Sequence, residues 1–113
     1  MALDLNVFKT ITNVVSQSPV GIYTAPVGYT GVLLLAQASN VGTSSQDISV
    51  SHKRTKAGIA VTTELFNQFP IPGNDSANLL AGKLVMEQGD VLLVKGSTNT
   101  DLKLIVSVLE TLN

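Results

Sequence analysis

The 113-residue sequence predicts an all-β fold, a single antiparallel β-sandwich of jelly-roll or immunoglobulin-like type with about eight strands. Three observations carry that prediction. Turn-forming residues recur at short intervals, at positions 18–19, 26–28, 40–42, 56–58, 70–75, 88–90 and 97–99. The segments between them are rich in Val, Ile, Leu and Thr, the composition of short strands bounded by turns about every 8–12 residues. No segment sustains helical spacing with capping residues, so little or no helix is expected.

Taken in order, the strands are expected near 5–15, 20–25, 30–38, 46–54, 59–69, 83–87, 90–96 and 101–111, with 77–80 a weaker ninth candidate. In 47–54, Ile48 and Val50 share one phase with His52, while Asp47, Ser49, Ser51 and Lys53 take the other. In 59–69 a single phase runs Ile59, Val61, Leu65, Phe69. Leu102, Leu104, Val106 and Val108 line one face of the last strand, with Ile105 and Leu109 on the opposite face. Residues 31–38 and 91–94 are apolar on both sides, which suits central strands or strands whose outer face a neighbour covers. Residues 83–95 read as a hairpin, with Gly89 free to take positive φ and Asp90 placed to bond the turn's amides. Pro70 and Pro72 lack ladder donors and mark a strand end or a crossing between sheets. Residues 1–18 form an N-terminal strand or arm, and 19–113 the sandwich domain.

Hydrophobic residues make up 44% of the chain and charged residues only 13%, against roughly 25% charged in an average soluble domain. So small a domain exposes much of its surface. Part of that surface is therefore expected to meet a partner rather than water. A net charge of −1 provides no field that favours nucleic acid or an acidic membrane. No run approaches the ~20 apolar residues of a membrane helix. Asp4 stands where a secretory leader carries positive charge, so a soluble protein made in a cytoplasm is expected. There is no cysteine, which removes disulfides and thiolate metal sites.

Catalytic constellations are scarce. His52 is the one histidine, and it reads as a structural residue rather than a general base, because no second histidine, cysteine or nucleophile elbow accompanies it. Glu87 and Asp90 flank a turn rather than a cleft. Asn74, Asp75, Asn99 and Asp101 offer oxygen ligands without the spacing of a calcium loop. The basic stretch 52–56 has no interleaved aromatic for base stacking, and reads as a solvated strand end or a charged contact. No enzyme activity, cofactor, metal, nucleic acid or membrane partner is expected. Candidate interface residues are Leu3, Leu5 and Val7, which alternate with polar residues as a strand-donating arm would, and Tyr23 and Tyr29. The two tyrosines straddle the turn at 26–28 as a contact knob or as packing at the core edge.

Residues 21–40, GIYTAPVGYTGVLLLAQASN, resemble the opening of a family of small structural proteins of tailed bacteriophages. In that family a Tyr-Thr-x-Pro-x-Gly-x-Thr segment leads into a strand ending near Ser-Asn. DISVSHKR at 47–54, FPIPGND at 69–75 and GKLVMEQGDVL at 82–92 continue the similarity over residues 20–110. The resemblance implies a non-enzymatic virion protein, assembled in the host bacterial cytoplasm and binding stoichiometrically in a symmetric particle. It would serve as a capsid decoration or cement protein, or as a neck, tail or baseplate protein. Its partners would be copies of itself and other virion proteins such as the major capsid or neck and tail proteins. The alternative from another class is a carbohydrate- or receptor-binding β-sandwich module.

Overall fold

The computed structural model describes residues 5–80 and 82–113. Within them the chain forms nine strands and no helix: β1 (Asn6–Val14), β2 (Val20–Thr24), β3 (Tyr29–Asn40), β4 (Gln46–Lys56), β5 (Ile59–Ile71), β6 (Ser76–Asn78), β7 (Leu84–Met86), β8 (Val91–Gly96) and β9 (Leu102–Leu112). They make two antiparallel sheets. One runs β1-β9-β3, with β6 and β7 both pairing the free side of β3, and the other runs β2-β8-β4-β5.

This order follows from one nested pairing. The chain reverses at Ala57-Gly58, and β4 pairs β5, β3 pairs β6 and β7, β2 pairs β8, and β1 pairs β9. A long hairpin rolled into two sheets in this way is a jelly roll, which decides between the two sandwich types. The short segment near 77–80 is a true strand at Ser76–Asn78. It shares the edge of β3 with β7, pairing Gln37–Ser39 while β7 pairs Gly31–Leu33. Residues 6–14 take the strand alternative, at the edge of the five-stranded sheet.

The core lies between the sheets. Leu33, Ala36 and Ala38 of β3 and Leu102, Leu104, Val106 and Val108 of β9 face Ile48 and Val50 of β4 and Leu92 and Val94 of β8. Each Leu, Ile or Val among them contributes about 1.5–3 kcal/mol by leaving water. β3 and β8, apolar on both sides in sequence, are central in their sheets.

Two sequence expectations need correction. Residues 83–95 are not a hairpin, because β7 pairs β3 in one sheet while β8 pairs β2 and β4 in the other. The turn itself forms as expected, with Gly89 at φ 87° and the Asp90 amide donating to the Glu87 carbonyl at 2.9 Å. It turns a corner between layers instead of joining neighbours. Nor does β5 hold one phase. Its pairing with β4 is irregular between Ile48 and Ser51, so Phe66 sits opposite Val50 and Phe69 opposite Ile48. Both rings then meet edge to face at 5.3 Å. One extra residue on each side of Phe66 brings that ring onto the face of Ile59 and Val61 and returns Phe69 to it.

Three buried polar side chains, Asn40, Asp90 and Glu110, are all hydrogen-bonded or ion-paired. The Asn40 amide nitrogen donates to the carbonyls of Ser44 at 2.7 Å and Ile71 at 2.9 Å, and its oxygen accepts from the Gly42 amide at 3.0 Å. It thereby ties the β3–β4 loop to the end of β5. Glu110 on β9 accepts the Tyr23 hydroxyl from the opposite sheet at 2.8 Å and pairs with Lys9 of β1 at 3.0 Å. Burial, then the bond and charge of Glu110, push the Tyr23 phenol well above its ordinary range. The ring fits because Gly31, opposite Glu110 in register, has no side chain: a Cβ there would lie 2.6 Å from the Tyr23 hydroxyl.

Two stability predictions follow from these contacts. Ala57 (φ 53°) and Gly58 (φ 76°) form the two-residue hairpin turn in which Asn-Gly is favoured. Ala57→Asn should therefore stabilise the protein by about 1 kcal/mol, read as a higher midpoint in chemical denaturation with an unchanged slope. Gly31→Ala should destabilise it by about 1–3 kcal/mol through overpacking against Tyr23, and Tyr23→Phe in the same chain should relieve part of that loss.

Candidate assembly surfaces

The densest cluster of charged groups lies where β4 passes the 87–90 corner. His52, Arg54 and Lys56 alternate onto the inner face of β4, and Lys53 points out. The Arg54 Nε donates to both Asp90 oxygens at 2.9 and 3.1 Å, and its Nη2 lies 2.6 Å from Oδ2. Nε2 of His52 lies 2.9 Å from the same oxygen, and the Glu87 amide donates to it at 2.9 Å. Arg54 Nη1 and Lys56 Nζ also pair with the Glu87 carboxylate, at 3.2 and 3.3 Å.

These bonds hold the Asp90 carboxyl down at about 2, with Arg54 the largest cause and burial opposing it. The same pairing raises the Arg54 guanidinium above its ordinary value. The basic stretch is thus neither a solvated strand end nor a free patch. Its inward members fasten a corner of the chain to β4. Among the described residues no three His, Cys, Asp or Glu side chains gather as a metal site would require.

Beyond this cluster the tip of β4 and β5 projects as a two-stranded tongue. Ile59 and Val61 are exposed on its inner face beside Arg54 and Lys56, and together with His52 and Thr63 they border an open groove of about 570 Å³. The two outer sheet faces differ from it and from each other. On the five-stranded sheet, Phe8, Leu109, Val32 and Val85 stand in register across four strands as one apolar row. Phe8 is 75% exposed and Val85 54%.

The interface residues expected from sequence scatter over this frame. Leu3 lies outside the described residues. Leu5 is exposed just before β1, and its carbonyl accepts the Leu112 amide at 2.8 Å. Val7 is half-buried, opposite Glu110. Tyr23, at 6% exposure, belongs to the core and not to a contact knob. Tyr29 is half-buried at the start of β3, opposite Leu112. The structure therefore does not bring the two tyrosines together on the surface. Reading the sequence missed Phe8, Val32 and Val85 as a row, because their alignment is set by pairings between strands far apart in the chain. The apolar outer phase of 31–38 was its one local signal.

No protein-family model matches the chain, and no curated protein does. Among solved structures it is similar in fold to a chain of the acidic stable capsid structure of Helicobacter pylori bacteriophage KHP30. The TM-score is 0.57 and the identity 12%, covering 96% of this chain and 89% of that one.

The Asp90 network has a signed pH dependence. A carboxyl whose folded value is depressed stabilises fully above its unfolded value and loses that contribution as pH falls through the folded one. The Asp90 contribution should therefore hold down to its ordinary 3.8 and fade towards about 2. Denaturant titrations over this range should show stability falling in the parent protein. Asp90→Asn should be less stable at neutral pH and show a flatter acid limb.

Proposed function

We propose that this chain is a non-enzymatic structural component of a tailed-phage virion. It acts by stoichiometric binding in a symmetric assembly, on the capsid as a decoration or cement protein in preference to the neck, tail or baseplate. The observation that carries this reading is the likeness in fold, over nearly the whole chain, to a chain of a phage capsid structure.

Surface chemistry supports it. A protein that works by packing against copies and neighbours needs faces that lose little on leaving water, since desolvating a charge is costly and desolvating Val, Thr or Phe is not. The five-stranded sheet presents such a face. The imidazole of His52 is engaged by Asp90 in fastening a corner, an arrangement that serves rigidity. The rival reading, a glycan-binding module, loses one of its two candidate anchors, Tyr23, because that ring packs over Gly31 inside the sandwich and cannot stack on a sugar.

The test is quantitative mass spectrometry of gradient-purified particles from the phage that carries this gene, with capsids and tails separated. The chain should be present in the capsid fraction at tens to hundreds of copies per particle, in fixed ratio to the major capsid protein. Its absence from purified particles, with abundance only in the lysate, would sink the reading. Recovery in the tail fraction would move it to the neck or tail.

A further inference from the structure

The two outer faces of the sandwich are built for different surroundings. The outward phase of the four-stranded sheet carries Asp47, Lys53, Glu64 and Lys95 among serines and threonines, the mixture that water-facing strands carry. In the outward phase of the five-stranded sheet, among the described residues, Lys103 is the one charged side chain. The rest are Thr, Ser, Asn and Gln around Phe8, Val14, Val32, Leu34, Leu35, Val85, Ile105 and Leu109. Five of these eight apolar groups, Phe8, Val14, Leu34, Val85 and Ile105, remain exposed.

The face also carries a knob and a hollow that match. Phe8 projects from the row Phe8–Leu109–Val32–Val85. On the same face an open depression of about 420 Å³ is lined by Thr12, Val14, Gln37, Ser39 and Ile105, with Lys103 at its end. The row Thr10–Ser107–Leu35 lies midway, two residues along β1 from Phe8 and two from Thr12. A two-fold axis lying in the contact plane along that middle row carries Phe8 of one copy over the hollow of the other. Lys103, four residues to one side of the axis, is carried over Thr111 and Asn6, four residues to the other side. The single charge therefore never meets its own copy. Had both flanks carried charges of the same sign, the same operation would place like against like.

Size is sufficient. Three strands of nine or more residues and a fourth edge made of two three-residue strands, about 4.8 Å apart at about 3.3 Å per residue, cover roughly 500 Å². Two such faces reach the ~1,000 Å² that a biological interface should clear.

We propose that the outer face of the five-stranded sheet packs on the same face of a second copy, about a two-fold axis over the Thr10–Ser107 row, with each Phe8 seated in the hollow beside Val14 and Ile105 of its mate. The two sheets stack face to face about 10 Å apart, as in sheet-on-sheet packing generally. This deepens the assembly reading by naming a partner and a surface. Its test uses the isolated chain, so it succeeds or fails independently of whether the chain is found in particles.

The experiment is sedimentation equilibrium of the full chain across a concentration series, with circular dichroism on every variant. The parent protein should have twice the 11.8 kDa chain mass. Phe8→Lys and Val85→Lys, both at exposed positions, should each weaken the dimer at least tenfold while keeping the parent spectrum. Phe8→Ser, which adds no charge, should weaken it in the same direction. Ala60→Lys, on the outward side of the tongue, should leave it unchanged. Because the chain has no cysteine, Ser107→Cys introduces a single thiol next to the axis. A short thiol-reactive crosslinker should join two such chains, and should not join Ala60→Cys chains. A parent mass of one chain at every concentration would overturn the proposal and assign the face to a partner of different sequence. A mass of three or five chains, or a dimer indifferent to the Phe8 and Val85 variants, would overturn it equally.

Discussion

Everything in this molecule depends on the chain pairing with itself from its ends inward. Asn6 meets Thr111 and Lys56 meets Ile59, and every pairing of the nest lies between those extremes. Only β4 and β5 close locally. Each other ladder joins segments from opposite halves of the sequence, so the loop entropy of closing it is met only when the inner ladders already stand. The roll is thus held less by any one turn than by the mutual support of its ladders across a shared apolar core.

That dependence explains where the buried polar groups lie. A rolled hairpin must cross repeatedly from one sheet to the other, and each crossing leaves backbone groups that no ladder satisfies. Asn40 supplies the missing bonds where the loops after β3 and β5 meet, and Asp90 does so where β7 gives way to β8. Glu110 joins the sheets directly through Tyr23. The corner at 25–29 is stitched to the corner at 87–90 by bonds from the Ala25, Gly89 and Gly28 amides. Such fully satisfied networks specify one arrangement of strands where an apolar core alone would tolerate several.

The same economy of charge links fold to function. With few charged side chains available, most of them serve these internal fastenings or the outer face of the four-stranded sheet. The five-stranded sheet is left nearly neutral outside. Under the role proposed above, the charged face would stay in water and the nearly neutral one would contribute the contact.

Strand positions, turn sites and the identity of the core face in β4 and β9 were legible from the sequence, because alternation and turn chemistry are local. Leu102, Leu104, Val106 and Val108 announce a buried face whatever strand lies beside them. The absence of cysteine and the scarcity of charge likewise needed no coordinates. Which strands became neighbours was not legible. Leu84–Met86 and Val91–Gly96 look like one hairpin in sequence, yet pair in different sheets, because the ladder offered by β3 competes with the local one. The burial of Tyr23 depends on Gly31 and Glu110 arriving opposite it. The engagement of His52 and Arg54 by Asp90 spans more than thirty residues. The apolar row that begins at Phe8 exists only once β1, β9, β3 and β7 lie side by side. Local sequence determines which residues want to be strands and which faces want to be dry; only the long-range pairing of those strands decides what each dry face meets.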